Sequence, residues 1–263
     1  MIMRKSIIVD LLILLGAVAV IWGIFTIFPI IPNDTDFDVS IDKEEKLGKL
    51  IVDEIILDNQ GINIVKDSTL DAALNLILLR LYDGIGSTDY DYKIIVIDSP
   101  MINAAALPGG YIILYTGLIE ITDSPEELAA IIAHEIGHVE KKHIISRLIK
   151  ELGLSILFSG DAAVLGEVFK YTTSTAFSRQ QESEADIYSL QLMEKAKIHP
   201  IVLATIFRKF NKVQTNYSEN LEILSTHPHN NSRIKAALGF EVKKNFKSKK
   251  IDLPWDEVKA KLK

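Results

Sequence analysis

Residues 11–32 read LLILLGAVAVIWGIFTIFPIIP, a run of 22 positions without a charge. At about 1.5 Å of rise per residue, a helix of that length crosses the roughly 30 Å hydrocarbon core of a bilayer. This stretch divides the chain, because whatever follows has to fold as a separate body in water. A cleaved leader would carry a shorter apolar stretch ending in small residues, whereas this one ends in Pro-Ile-Ile-Pro-Asn-Asp. The expectation is a retained N-terminal transmembrane helix, with residues 1–33 as a membrane anchor and 34–263 as the working domain. Arg4 and Lys5 precede the run, and Asp34, Asp36 and Asp38 follow it. The positive-inside rule then predicts a single-pass protein of the cell membrane, its N-terminus cytoplasmic and its domain extracytoplasmic.

Apolar residues make up 48% of the chain, enough for one good-sized core beyond the anchor. A net charge of −6 without a basic stripe argues against nucleic acid as a partner. With no cysteine, disulfides and thiolate ligands are excluded, so any metal must sit on His, Asp or Glu.

Along the domain, helical spacing recurs over 47–57 and 69–81, and the β-branched stretches 92–98 and 111–117 read as strands. A loop holding Leu-Pro-Gly-Gly (107–110) precedes the second, so the pair is expected to form a small sheet with one hairpin-like connection. Ser124, Pro125 and Glu127 mark a helix start with a reciprocal cap, and that helix is expected to run to about Lys150. Residues 152–169 are apolar but interrupted by Gly153, Gly160, Asp161 and Gly166, which favours a core helix pair over a second span. Helices over 170–197, 200–215 and 231–239 and a solvated lysine-rich end complete an α+β, mostly helical reading.

The chemistry is concentrated in AAIIAHEIGHVEKKH, 129–143. His134 and His138 are four apart, about 40° around a helix, so both imidazoles leave one face at nearly one point. A tetrahedral zinc asks that of two ligands on one segment. Glu135 lies about 100° round, too far to join them but placed to reach water beside the metal. His143, nine residues beyond His134 on a continuous helix, would point away, so it reads as a histidine bonded to a neighbouring element. The third ligand is sought in QQESEAD, 180–186, where Glu182 and Glu184 are about 200° apart on a helix and only one can face the site. Glu182 shares a stripe with Asp186, Ala185, Leu190 and Met193, an apolar, inward set. Buried carboxylates need a cationic partner: a dication for Glu182, and a ligand imidazole N–H for Asp186. Glu184 runs instead with Tyr188, Gln191 and Lys195 on a solvent face.

H-E-x-x-H followed by E-x-x-A-D resembles the M48 family of membrane-associated zinc metallopeptidases. The resemblance extends through NAAALPGGYIILYTGLI (103–119), FSRQQESEADIYSL (177–190) and STHPHNNSRI (225–234). It implies a zincin-like domain holding one zinc per chain on His134, His138 and Glu182, with Glu135 as general base. With one span here, the chain is nearer the single-anchor or soluble members than those with several spans. The resemblance also places His227 by the site, as a donor to the developing oxyanion or as a fourth ligand that keeps the enzyme closed, and the sequence leaves both open. Arg233 would anchor that loop on a carboxylate, Asp186 or another acid near the site.

The expected function is a membrane-anchored zinc endopeptidase acting on unfolded or misassembled proteins. Its partners would be protein or peptide substrates and the lipid bilayer, with 111–115 as an edge strand for an extended substrate. The alternative is a zinc-binding, chaperone-like or substrate-binding module without proteolytic turnover, and a third reading is a structural helical protein with a fortuitous motif.

Overall fold

The computed structural model describes residues 3–27, 39–57, 61–216, 221–228 and 231–262. The chain falls into two compact units, Met1–Phe37 and Asp38–Lys263. In the first, α1 (Met3–Ile27) is helical, and the side chains described in it are those of residues 9–20, 22 and 23. Among the described residues no helix is long and apolar enough to cross a membrane. The expected span runs past them, with 28–32 and the acidic residues 34, 36 and 38 outside the description.

The second unit is mostly helical around a small mixed sheet. It opens with α2 (Ile41–Ile51), which widens into a π-helical turn over Val52–Leu57. Next comes α3 (Ser68–Ile85), where the Asp67 carboxylate accepts from the N–H groups of Thr69 and Leu70 at 2.8 and 3.0 Å. Leu70, Leu74, Ile77, Leu78 and Leu81 form its buried stripe.

The sheet holds β1 (Lys93–Ile97), β2 (Ala104–Ala106) and β3 (Tyr111–Tyr115) in the order β1-β3-β2. β1 and β3 are parallel, not a hairpin pair; the tight connection through Leu-Pro-Gly-Gly joins antiparallel β2 and β3. The expected edge strand, 111–115, is therefore the inner strand. An Ala-Ala-Ala strand leaves no β-branched signal, since alanine favours helices. Its small side chains, all buried, let a helix lie close against it. Gly109 has φ +76°, and a Cβ there would fall 2.4 Å from the Glu45 Cα, so the turn requires glycine twice over.

After α4 (Thr116–Ile121) comes the central helix α5 (Pro125–Glu140), in which every residue from Leu128 to Val139 is buried. Ser124 caps it as expected, but Glu127 bonds differently: its Oε2 accepts from the Asp123 N–H at 2.8 Å and pairs with Lys209. The helix ends ten residues before Lys150. Lys142 adopts φ +57°, and α6 (His143–Leu152) starts on a new axis. Residues 152–169 form one 3-10 turn, Leu154–Phe158, and the start of α7 (Ala162–Ser174), whose N-cap is Asp161. The helix expected over 170–197 is broken at Thr175–Ser178. A capping box between Ser178 and Gln181 opens α8 (Arg179–Lys195).

The remaining helices are α9 (Ile201–Asn216), α10 (Ile223–Thr226), α11 (Asn231–Leu238) and α12 (Trp255–Lys259). Lysines 243, 244, 247, 249 and 250 are exposed, and the chain beyond them packs back through Trp255, whose Nε1 donates to the Thr122 carbonyl at 3.2 Å.

Candidate metal centre

α5, α8 and the segment after α10 bring His134, His138, Glu182 and His227 together, each offering one donor atom within 4.8 Å of the others. Gly137 makes the approach of α5 to α8 possible, since a Cβ there would meet the Ala185 carbonyl oxygen at 3.0 Å. His134 Nε2 lies 3.2 Å from His138 Nε2 and 3.3 Å from His227 Nδ1. Glu182 Oε1 is 3.3 Å from His138 Nε2 and 3.0 Å from His227 Nδ1. His134 Nε2 to Glu182 Oε2 is longer, at 3.6 Å. All four residues are at most 5% exposed.

Four donors at the corners of a tetrahedron about 2.0–2.1 Å from an ion would stand about 3.3 Å apart, the spacing seen along these edges. Buried ring nitrogens facing one another are unfavourable unless a proton or a cation lies between them. Three imidazoles and a carboxylate therefore suit a dication of borderline softness.

Asp186 and Arg233 stand behind these donor atoms. Arg233 donates to both oxygens of Asp186, from Nε and Nη2 at 2.7 Å each, and also reaches Glu182 through Nη1. Asp186 Oδ1 stands 3.1 Å from His134 Nδ1, although the approach is off the N–H axis and no well-formed hydrogen bond results. Burial works against a charge on His134, and the neighbouring Asp186 and Glu182 overcome it, pushing the imidazole up to about 9. Burial also opposes ionisation of Glu182, yet the surrounding histidines hold its carboxyl far below the usual range. His138 goes the other way: burial, and the charges of His134 and His227, hold it well below an ordinary histidine. Burial opposes the Asp186 charge, and the Arg233 hydrogen bonds together with the adjacent His134 ring outweigh it, lowering its carboxyl.

Glu135 is 1% exposed and splits its oxygens between two tasks. Oε2 accepts from the Ala106 N–H at 3.0 Å, which ties the side chain to β2. Among the described residues Oε1 has no hydrogen-bond partner, and it faces His227 Nε2 at 3.4 Å. His227 itself closes α10, its N–H donating to the Ile223 carbonyl at 2.8 Å, and the Phe177 N–H donates to the Thr226 carbonyl at 3.1 Å.

Periodicity did not reveal several residues around the centre. Phe177 stacks on the His138 ring, with centroids 3.7 Å apart, and carries the Arg147 guanidinium at 3.8 Å from its own centroid. His143 is close to the cluster: its Nδ1 is 3.0 Å from His138 Nδ1 and its Nε2 is 2.9 Å from Glu184 Oε2. It is bonded to neighbouring elements as expected, and it lies this close because the helix breaks at Lys142 and does not run on past it. Glu184 lies on the open side of α8 as expected, its side chain 40% exposed, yet it holds His143.

The family model described as Peptidase family M48 matches residues 68–241. The chain is 26% identical over 205 residues to the mitochondrial metalloendopeptidase OMA1 of Schizosaccharomyces pombe, covering 75% of this chain and 61% of that protein. It is 26% identical over 213 residues to the beta-barrel assembly-enhancing protease of Escherichia coli K12, covering 74% and 43%. Over 184 residues it is 29% identical to metalloprotease LoiP of the same organism, covering 65% and 71%. The first two relatives are thus matched over 61% and 43% of their own lengths. With two thirds of its residues inside the family model and the donor cluster on the matched segment, the chain belongs to peptidase family M48.

Proposed function

We propose that the protein is a zinc-dependent endopeptidase, anchored in a membrane by residues 11–32, that cleaves unfolded or misassembled proteins. The reading is carried by one observation: His134, His138 and Glu182 converge beside a buried Glu135 carboxylate, one oxygen of which has no hydrogen-bond partner among the described residues. Bound zinc would supply Lewis-acid polarisation of the scissile carbonyl and acidify a water molecule. His134, His138 and Glu182 would hold it, with Asp186 and Arg233 behind them. Glu135, fixed by the Ala106 N–H through Oε2, takes the proton from water on Oε1 and returns it to the leaving amine.

His227 Nδ1 stands at the fourth corner of the donor set, which supports a displaceable ligand over an oxyanion donor. In this role the imidazole closes the resting site and moves aside when a chain enters. The depth of the centre supports a preference for unfolded substrates, because only a flexible segment reaches residues this buried. The names of the relatives, two metalloproteases and a beta-barrel assembly-enhancing protease, agree with protein substrates. The uncharged run after Arg4 and Lys5 supports a cytoplasmic N-terminus and an extracytoplasmic domain.

The alternative, a zinc module without turnover, draws on the same fourth donor, since structural zinc sites are closed by protein ligands. Glu135→Gln separates the two. It leaves all four donors in place, so zinc content should stay at one per chain while cleavage of an unfolded protein falls by several orders of magnitude. Chelator-insensitive cleavage, or full activity in Glu135→Gln, would end the endopeptidase reading.

A further inference from the structure

Between Glu140 and His143 the chain leaves α5, passes through Lys142 at φ +57° and begins α6. On an unbroken helix residue 143 would point away from His134; the break returns its ring to within 5.1 Å of the His138 centroid. A left-handed lysine is strained and needs holding in place. Glu44, 2% exposed, does this: its Oε1 takes the Lys142 ammonium at 2.5 Å and its Oε2 accepts from the Tyr90 hydroxyl at 3.0 Å. The same ammonium lies over the Tyr90 ring, 5.1 Å from its centroid.

The proton positions that follow are unique. His138 Nε2 points into the donor cluster, so as a ligand atom it bears no proton. A neutral imidazole then carries its proton on Nδ1. That N–H meets His143 Nδ1 at 3.0 Å, which has to accept. The His143 proton is therefore on Nε2, where Glu184 Oε2 accepts at 2.9 Å. Every atom along this line has a partner of the right sense.

We propose that His143 is a positioning residue for His138, fixing the tautomer and ring orientation of that ligand through a Glu184–His143–His138 relay. The inference rests on the metallopeptidase reading above, because without a bound metal the His138 proton has no reason to prefer Nδ1. Phe177, stacked on the His138 ring, sets the plane of the ring; His143 sets its proton and its rotation within that plane. Losing such a partner typically weakens metal binding 10–100-fold.

The test uses the full chain in detergent and Zn2+ itself, with affinity measured by competition with a chelator. His143→Leu should bind zinc roughly 10–100-fold more weakly than wild type. His143→Asn, which keeps an oxygen acceptor near the place of Nδ1, should recover most of that loss. Nitrogen-15 spectra of the zinc-loaded wild type should show the proton on Nδ1 of His138 and on Nε2 of His143. Wild-type affinity in His143→Leu, or a His143 protonated at Nδ1 in the loaded protein, overturns the inference. If the leucine variant does not fold, the wild-type tautomers still decide. Wild-type protein that binds no zinc brings down the metallopeptidase reading, and this inference with it, whereas zinc binding with the wrong tautomers brings down this inference alone.

Discussion

Gly137 and Ala185 meet backbone to backbone, where α5 crosses α8, and this contact brings His138 within 3.3 Å of Glu182. A methyl group at 137 would press on the Ala185 Cα at 3.1 Å and its carbonyl oxygen at 3.0 Å, neither of which can rotate away. Gly137→Ala should therefore cost about 1–3 kcal/mol, the usual penalty of overpacking. That corresponds to about 2–4 °C in melting temperature per kcal/mol for a domain of this size. Zinc affinity should fall with it, because Glu182 moves back with α8. An unchanged melting curve would show that the helices have slack.

The two glutamates of α8 separate by the same geometry. Glu182→Ala removes a donor, and bound zinc in purified protein should drop to background. Glu184→Ala touches the centre only through His143, from a side chain 40% exposed, and should weaken binding by no more than the His143→Leu change. Metal analysis of the two variants side by side checks this, and a reversed order would refute the choice of ligand.

Zinc binding should release close to one proton at neutral pH. In the metal-free protein His134 is pushed up to about 9, whereas His138 is held low and Glu182 is already ionised. A ligand imidazole must be neutral, so affinity should rise about tenfold per pH unit up to pH 9. The sign reverses for the metal-free fold. A raised folded-state value stabilises below the ordinary histidine range, and that contribution is lost as pH climbs through about 9. Titration calorimetry in buffers of different ionisation enthalpy counts the proton; a count of zero would contradict this electrostatic picture.

His227→Ala should speed cleavage of short, flexible peptides while lowering zinc affinity, because it vacates the fourth corner of the donor set. An oxyanion donor would behave in the opposite way, losing roughly 2.7–4 kcal/mol of transition-state stabilisation with zinc affinity intact. Steady-state rates on one peptide, paired with chelator competition, distinguish the two signs.

How much of this was legible beforehand depended on the range of the interaction involved. The shared face of His134 and His138 could be read from helical angles, and the inward face of Glu182 and Asp186 from the apolar stripe they share, because both spacings lie within one or two turns of a rigid element. For Arg233 the sequence left the choice between Asp186 and another acid near the site, and the structure gives it both Asp186 and Glu182. Resemblance, not spacing, brought His227 to the site. What escaped was decided between elements. The stop at Lys142 has no glycine or proline to announce it, and depends on Glu44 and Tyr90, 98 and 52 residues earlier in the chain. His143 points away only on a continuous helix, and this helix stops. The inner position of β3 depended on an alanine strand with no local signature, and Phe177 came to lie on His138 only through the break between α7 and α8. Local propensity and periodicity thus determined the elements and the chemistry they carry. Where each element stops, and which partner completes each buried polar group, was settled by long-range contacts that no window of neighbouring residues contains.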